Sequence, residues 1–82
     1  MLYKSNYNEI ILKQLLYDSK DDSFYFMSGD SYKKFENKKH KIFLCLEKKC
    51  LSRSRYGSGL TAIKLLIDNQ IGWDLENHYE KI

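Results

Sequence analysis

The segment KIFLCLE, residues 41–47, is the strongest strand signal in the chain, because large apolar side chains alternate along it. Successive side chains of a strand point to opposite faces, so Ile42, Leu44 and Leu46 share one face and Phe43 lies on the other. Three large aliphatic side chains bury more apolar area than the Phe43 face does. We therefore expect the Ile42 face to pack against helices and the Phe43 face to stay open.

Other parts of the chain show the spacing typical of amphipathic helices. A capping-box pattern, Asn-x-x-Glu, precedes apolar residues at helical spacing, which predicts a helix over residues 7–18. Ser58 can cap a second helix over residues 60–69, whose apolar residues recur every three or four positions. The tail, residues 73–82, is predicted to form a short third helix capped by Asp74.

Strands are predicted between these helices. FYFMS, residues 24–28, is rich in aromatic residues, and SYKKFE, residues 31–36, is a weaker strand whose lysines are typical of a sheet edge. Residues 50–56 are expected to return beside residues 41–47 as a hairpin. The predicted fold class is α+β: a helix, a three- to four-stranded antiparallel sheet, a second helix and a possible short C-terminal helix. A chain of 82 residues is expected to form a single domain, residues 1–82.

Charge is distributed unevenly along the chain. Residues 33–55 contain nine lysines and arginines against two glutamates, a net charge of +7, and the remaining residues carry a net charge of −4. Burying an unpaired guanidinium costs several kcal/mol, so Arg53 and Arg55 should point away from the core, beside Phe43. If both arginines point away from the core, the loop of the predicted hairpin must contain an odd number of residues, such as Lys48-Lys49-Cys50. The open sheet face is then expected to be basic and partly aromatic.

Such a face is a candidate interface for a protein partner or for nucleic acid, since lysines and arginines attract phosphate and an aromatic ring can stack on a base. The alternative is a solvated face whose charges keep sheet edges apart. The predicted partner-binding or nucleic-acid-binding residues are Lys38, Lys39, Lys41, Phe43, Lys48, Lys49, Arg53, Arg55 and Tyr56.

Other chemical classes are disfavoured by the sequence. His40, Cys45, Cys50 and His78 lack the Cys-x-x-Cys spacing typical of structural zinc, so no metal site is predicted and both cysteines are expected to stay thiols. No motif that carries catalysis or binds a cofactor is present, so we predict neither an enzyme nor a cofactor. The sequence shows no secretory signal and no span long enough to cross a membrane, and we expect a protein of the host-cell cytoplasm without a membrane partner.

The order NEIILKQLLYD, FYFMSGD, KIFLCLE, CLSRSRY and GSGLTAIKLLIDNQIGW resembles the helix, three strands, helix, helix layout of a small phage-encoded anti-CRISPR family that inhibits a Cas nuclease. That family binds as an acidic mimic of DNA, whereas the central block of this chain is basic. The family's acidic contact residues therefore have no counterparts here. The resemblance implies a small inhibitor that occupies a nucleoprotein enzyme.

The same layout is similar to that of a double-stranded-RNA-binding domain, in which a Gly-x-Gly turn precedes the second helix. Gly57-Ser58-Gly59 matches this turn, and Lys64 supplies one of the lysines that would cross the phosphates. The sequence thus favours a non-enzymatic inhibitor that binds a Cas nuclease complex and blocks its nucleic-acid binding or cleavage. The alternative is a small RNA- or DNA-binding module that uses the basic sheet face.

Overall fold

The chain forms antiparallel β-structure almost throughout in the computed structural model, which describes residues 1–27, 32–52, 57 and 59–82. The described part contains nine strands and a single-turn 3-10 helix, η1, at Glu76–His78, and no α-helix. The strands are β1 (Leu2–Ser5), β2 (Glu9–Lys13), β3 (Leu15–Asp18), β4 (Ser23–Phe26), β5 (Tyr32–Glu36), β6 (Ile42–Leu51), β7 (Leu60–Ile67), β8 (Gln70–Leu75) and β9 (Tyr79–Lys81).

The predicted α+β fold class is therefore wrong. The segment expected to be the first helix, residues 7–18, contains β2 and β3 instead. The spacing of its apolar residues fits a helix, but Ile10 and Leu12 also alternate, and both are buried. Five consecutive residues of β2 pair with β5, from Glu9 with Glu36 to Lys13 with Tyr32. This pairing between distant segments overrides the local helical spacing.

The second predicted helix, residues 60–69, is β7 followed by a tight turn. One face of β7 lies in the inner core, and on the other face Ala62 is buried whereas Leu66 is exposed. The strand is apolar on both faces, so it reads as a nearly continuous apolar run instead of alternating. Asp68 and Asn69 both have positive φ, 49° and 64°, and link β7 to β8 as a two-residue hairpin turn. The predicted third helix is limited to η1, with strands on either side.

Three strand predictions are confirmed in part. Residues 24–28 overlap β4, and residues 31–36 overlap β5, which lies at one end of the sheet as its lysines indicated. Residues 42–47 belong to β6, but β6 continues through the expected turn at Lys48-Lys49-Cys50 to Leu51, and this part of it pairs with β7. The predicted return strand, residues 50–56, is therefore wrong for Cys50 and Leu51, and the rest of it falls largely outside the described residues.

Seven strands form the main sheet in the order β5-β2-β8-β7-β6-β1-β9, and every pairing is antiparallel. Strand β6 joins the two halves of the sheet: its first residues pair with β1 and the rest pair with β7, with a bulge between Cys45 and Glu47. A bulge bends a strand, so the two halves can face each other. They enclose an inner core of Tyr3, Ile10, Leu12, Phe43, Ile63, Leu65, Ile67 and Tyr79.

The β3–β4 hairpin covers part of the outer face of this sheet. Phe26 of the hairpin packs with Leu51, Ala62 and Leu75 from the three central strands and forms a second buried cluster. The hairpin covers one end of these strands. At the other end of the outer face the described residues Leu66 and Ile71 are exposed, and this end positions the candidate site.

Candidate functional site

The faces of β6 are the reverse of those predicted from its sequence. Phe43 is buried, with 7% of its surface exposed, whereas Ile42, Leu44 and Leu46 are 55%, 48% and 44% exposed. The prediction assumed that helices would cover the aliphatic face, and the described part of the chain has none. Phe43 instead joins Tyr3 and Tyr79 in the inner core, so it is not available to stack on a base.

The exposed aliphatic side chains continue across neighbouring strands. Leu2 of β1 pairs with Leu44 of β6, and Leu66 of β7 pairs with Ile71 of β8. Leu44 and Leu66 adjoin the paired residues Cys45 and Leu65, so the two pairs form one row across four strands. We call the surface formed by this row and the other exposed β6 aliphatics the outer apolar patch; its members are Leu2, Ile42, Leu44, Leu46, Leu66 and Ile71.

The patch is basic at the end marked by Ile42. Lys38, Lys39 and Lys41 lie in the exposed connection that leads from β5 into this end of β6. Lys38 lies 3.7 Å from Glu36, but both side chains are 79% exposed, and such a pair contributes little. Among the residues that the structure describes, neither Lys39 nor Lys41 forms an ion pair. These three predicted site residues are therefore brought together beside the patch.

The other predicted lysines make contacts within the protein. Lys48 Nζ lies 2.6 Å from Glu76 Oε2, and Lys49 Nζ lies 3.2 Å from Glu47 Oε1. Each ammonium also lies over an aromatic ring, that of Tyr3 for Lys48 and that of Phe24 for Lys49. The predictions for Arg53, Arg55 and Tyr56 concern residues outside the described part of the chain.

Contacts around η1 tie it to the sheet on two sides. Glu76 accepts a hydrogen bond from the Tyr3 hydroxyl at 2.6 Å as well as the ion pair with Lys48. Lys48 and, to a lesser extent, Tyr3 lower the pKa of Glu76 and favour its charged form. The same contacts raise the pKa of Lys48, so the ammonium is retained. This cluster holds η1 against β1 and β6.

A second cluster lies on the other side of η1. Asp74 is buried and accepts hydrogen bonds from the Tyr79 hydroxyl and the Leu75 backbone N–H, both at 2.8 Å. His78 Nδ1 lies 3.2 Å from the same carboxylate. Burial raises the pKa of Asp74, although these partners act in the opposite direction. These contacts attach the C-terminal segment that follows η1 to β8, so the arrangement has a structural role.

The other residues considered for metal binding are separated. His40 Nδ1 lies 3.4 Å from the backbone oxygen of Ser5, and the Cys45 thiol contacts the backbone oxygen of Glu47. Within the described ranges, no three His, Cys, Asp or Glu side chains are grouped closely enough to hold a metal ion. No helix in this part of the chain has the length and apolar character needed to cross a bilayer.

Sequence reasoning missed the contribution of β1, β7 and β8 to the patch. The signal that identifies it is Asp68-Asn69, a dipeptide suited to positive φ, between two apolar runs. A hairpin turn at this position places Leu66 opposite Ile71, whereas a helix does not. The chain matches no protein-family model, no curated protein and no solved structure.

Proposed function

We propose that this chain is a non-enzymatic binding protein that docks its outer apolar patch on a partner protein. The observation that carries the proposal is the row of cross-strand pairs, Leu2 with Leu44 and Leu66 with Ile71, on an uncovered sheet face. Single exposed aliphatic residues are common on protein surfaces and need no explanation. Contiguous exposed aliphatics on four neighbouring strands are typical of an interaction surface.

Charge specifies the chemistry of the partner. The end of the patch at Ile42 adjoins Lys38, Lys39 and Lys41, so a complementary surface is apolar with carboxylates or phosphates at that edge. A nucleoprotein provides both kinds of surface. The Cas nuclease complex implied by the anti-CRISPR resemblance is a partner of this chemistry, and a cytoplasmic protein can reach it.

The proposal depends on the outer apolar patch and not on a helical layout. Both resemblances described above depend on helices at residues 7–18 and 60–69, where the structure has strands. An apolar docking face does not depend on those helices. In this proposal the protein acts by steric occlusion: it occupies a surface that the nuclease needs for binding or cleaving nucleic acid.

The experiment measures binding of the purified protein to a purified Cas nuclease with its guide RNA, together with cleavage of target DNA. The test variant combines Ile42→Ser with Leu44→Ser, and the control is Tyr17→Ser, a similarly exposed residue on the β3–β4 hairpin. Truncating an apolar side chain that an interface buries can cost about 1 kcal/mol, so the double variant should bind at least tenfold more weakly.

Two results would contradict the proposal. The Cas form fails if the wild-type protein neither binds the complex nor alters cleavage. The more general proposal, docking on a different protein, is contradicted if sedimentation shows that the wild-type chain self-associates and that the double variant is monomeric. In that case a second copy of this chain covers the patch.

A further inference from the structure

A cleft opens where β2 and β8 separate. The two strands pair at one position only, Lys13 with Trp73, because the chain leaves β2 at Gln14 to build the β3–β4 hairpin. Strand β5 forms the far side of the opening through Tyr32 and Lys33. The cavity measures about 460 Å³, within the range of about 300–1,000 Å³ in which proteins bind small ligands or parts of larger ones.

The lining combines aromatic rings with cations. Trp73 is half-buried, Tyr32 is exposed, and Lys13 and Lys33 lie on the same walls. Among the described residues that line the cleft, none is acidic. Lys33 Nζ also donates a hydrogen bond to the side-chain oxygen of Gln70, across the opening from β5 to β8. The cleft is therefore a basic site with exposed ring surface.

Each ring of the cleft also has a lysine beside it. Lys64 Nζ lies 5.9 Å from the centre of the Trp73 ring, and Lys34 Nζ lies 5.6 Å from that of Tyr32. Lys64 Nζ also lies 3.8 Å from Glu47 Oε2, and Lys34 Nζ lies 3.9 Å from Glu9 Oε1. Such partly exposed pairs contribute little and leave both lysines accessible to a ligand. Lys13 is buried with its ammonium over Phe26, so Lys33, Lys34 and Lys64 are the cations that border the two rings.

We infer that this cleft binds single-stranded nucleic acid, with one base stacked on Tyr32 or Trp73 and the adjoining phosphates paired with Lys33 and its neighbouring lysines. Stacking surfaces bordered by cations are the arrangement by which proteins hold single strands without reading sequence. The inference goes beyond the proposed function and uses different residues. The two surfaces adjoin at Ile71, which belongs to the outer apolar patch and also lines the cleft.

Trp73 makes the site directly observable, because it is the only tryptophan in the chain. Its fluorescence is followed while oligothymidylate of about eight nucleotides is added to the full-length protein at two salt concentrations. We expect saturable quenching and an affinity that falls as salt rises, since lysines release counterions from the phosphates. An abasic oligonucleotide of equal length, which has the same phosphates and no bases, should bind about tenfold more weakly.

Variants locate the binding. Tyr32→Ala and Lys33→Met, both at exposed positions of an edge strand, should each lower the affinity severalfold to tenfold. The control Lys81→Met removes an exposed lysine from β9, the strand at the opposite edge of the sheet, and should leave the affinity unchanged. Thermal unfolding of each variant shows that it is folded, and the indole N–H resonance of Trp73 should shift on binding in the control and much less in Tyr32→Ala.

The inference is overturned if the abasic and thymidine strands bind equally, or if Lys81→Met weakens binding as much as Lys33→Met does. The first result means that no base is stacked, and the second means that the lysines act through net charge and not through a site at the cleft. Absence of quenching and of an indole shift at millimolar oligonucleotide also overturns it. This test is independent of the test of the proposed function, because the double variant Ile42→Ser with Leu44→Ser should not change the affinity for the oligonucleotide.

Discussion

The hydroxyl of Tyr79 donates a hydrogen bond of 2.8 Å to Asp74 Oδ2, and both residues are buried. This bond joins β9 to β8, which are not neighbours in the sheet. The Tyr79 hydroxyl is thus one of the hydrogen-bond donors to the buried Asp74 carboxylate. Removing a hydrogen-bond donor from a buried acceptor leaves the acceptor desolvated and incompletely paired.

Tyr79→Phe should therefore destabilise the protein by about 1–3 kcal/mol. Tyr7→Phe is the matched control, because Tyr7 is 54% exposed and the same atom is removed there at little cost. Urea denaturation of both variants measures the difference. Equal stability of the two variants would mean that the Tyr79 bond contributes nothing beyond what water supplies.

The two faces of β6 give a sharp test of the fold. Phe43→Ala should cost about 3–5 kcal/mol of unfolding free energy, because it empties a site in the inner core. Leu44→Ala, at the next position, should cost within about 0.5 kcal/mol, because Leu44 is about half exposed. The sequence-based assignment of the faces predicts the opposite order, so chemical denaturation of these two variants decides between them.

The turn between β7 and β8 also distinguishes strand from helix. Replacing both Asp68 and Asn69 with alanine should cost about 1–2 kcal/mol, because alanine is strained at positive φ. The same change would stabilise a helix, in which alanine is the most favourable residue. Asp68→Asn with Asn69→Gly, which suits this hairpin turn, should retain or raise stability. Thermal unfolding of the two double variants provides the comparison.

Glu76 should make stability depend on pH in the acid range. Its pKa is lowered in the folded protein by Lys48 and then by Tyr3, from an ordinary value of 4.5. As the pH falls below about 4.5, the unfolded chain takes up a proton that the folded protein resists, so this contribution to stability is lost. Glu76→Gln should reduce the loss.

Comparison with the Gln variant isolates Glu76 from Asp74. Burial raises the pKa of Asp74, so its contribution runs in the opposite direction: it is present at low pH and is lost as the pH rises above the ordinary Asp value of 3.8. Urea midpoints of wild type and Glu76→Gln across the acid range measure the difference. Parallel pH profiles for the two proteins would show that the Glu76 contacts do not persist in solution.

Alternation along β6 was visible in the sequence, and so was the edge character of β5. The sequence did not show which face of β6 is buried, because that depends on the elements that cover each face. The inner core uses Tyr3 and Tyr79 from opposite ends of the chain, and neither has a local signal that places it beside Phe43. Assigning the faces required the pairing of β1 with β6 and β9.

The two helix predictions failed for different physical reasons. β2 contains a run of three apolar residues and β3 a run of two, and such short apolar runs fit a helix as well as a strand. In β7 apolar residues occupy both faces, including the exposed Leu66, so the alternation that identifies a half-buried strand is missing. The aromatic cleft could not be predicted either, because Tyr32 and Trp73 come together only through the pairing of β2 with β5 and β8.

The central position of β7 has a consequence for how the native protein opens. Its backbone amides bond to β6 on one side and β8 on the other, and Ala62, Ile63 and Leu65 are fully buried. Successive amides of β7 donate alternately to β6 and to β8, so exchange along the whole strand requires both neighbours to detach, whereas β5 can fray from β2 alone. Hydrogen exchange at the β7 amides should therefore report global unfolding. Exchange at the β5 amides, beside the cleft, should report a local opening of lower free energy.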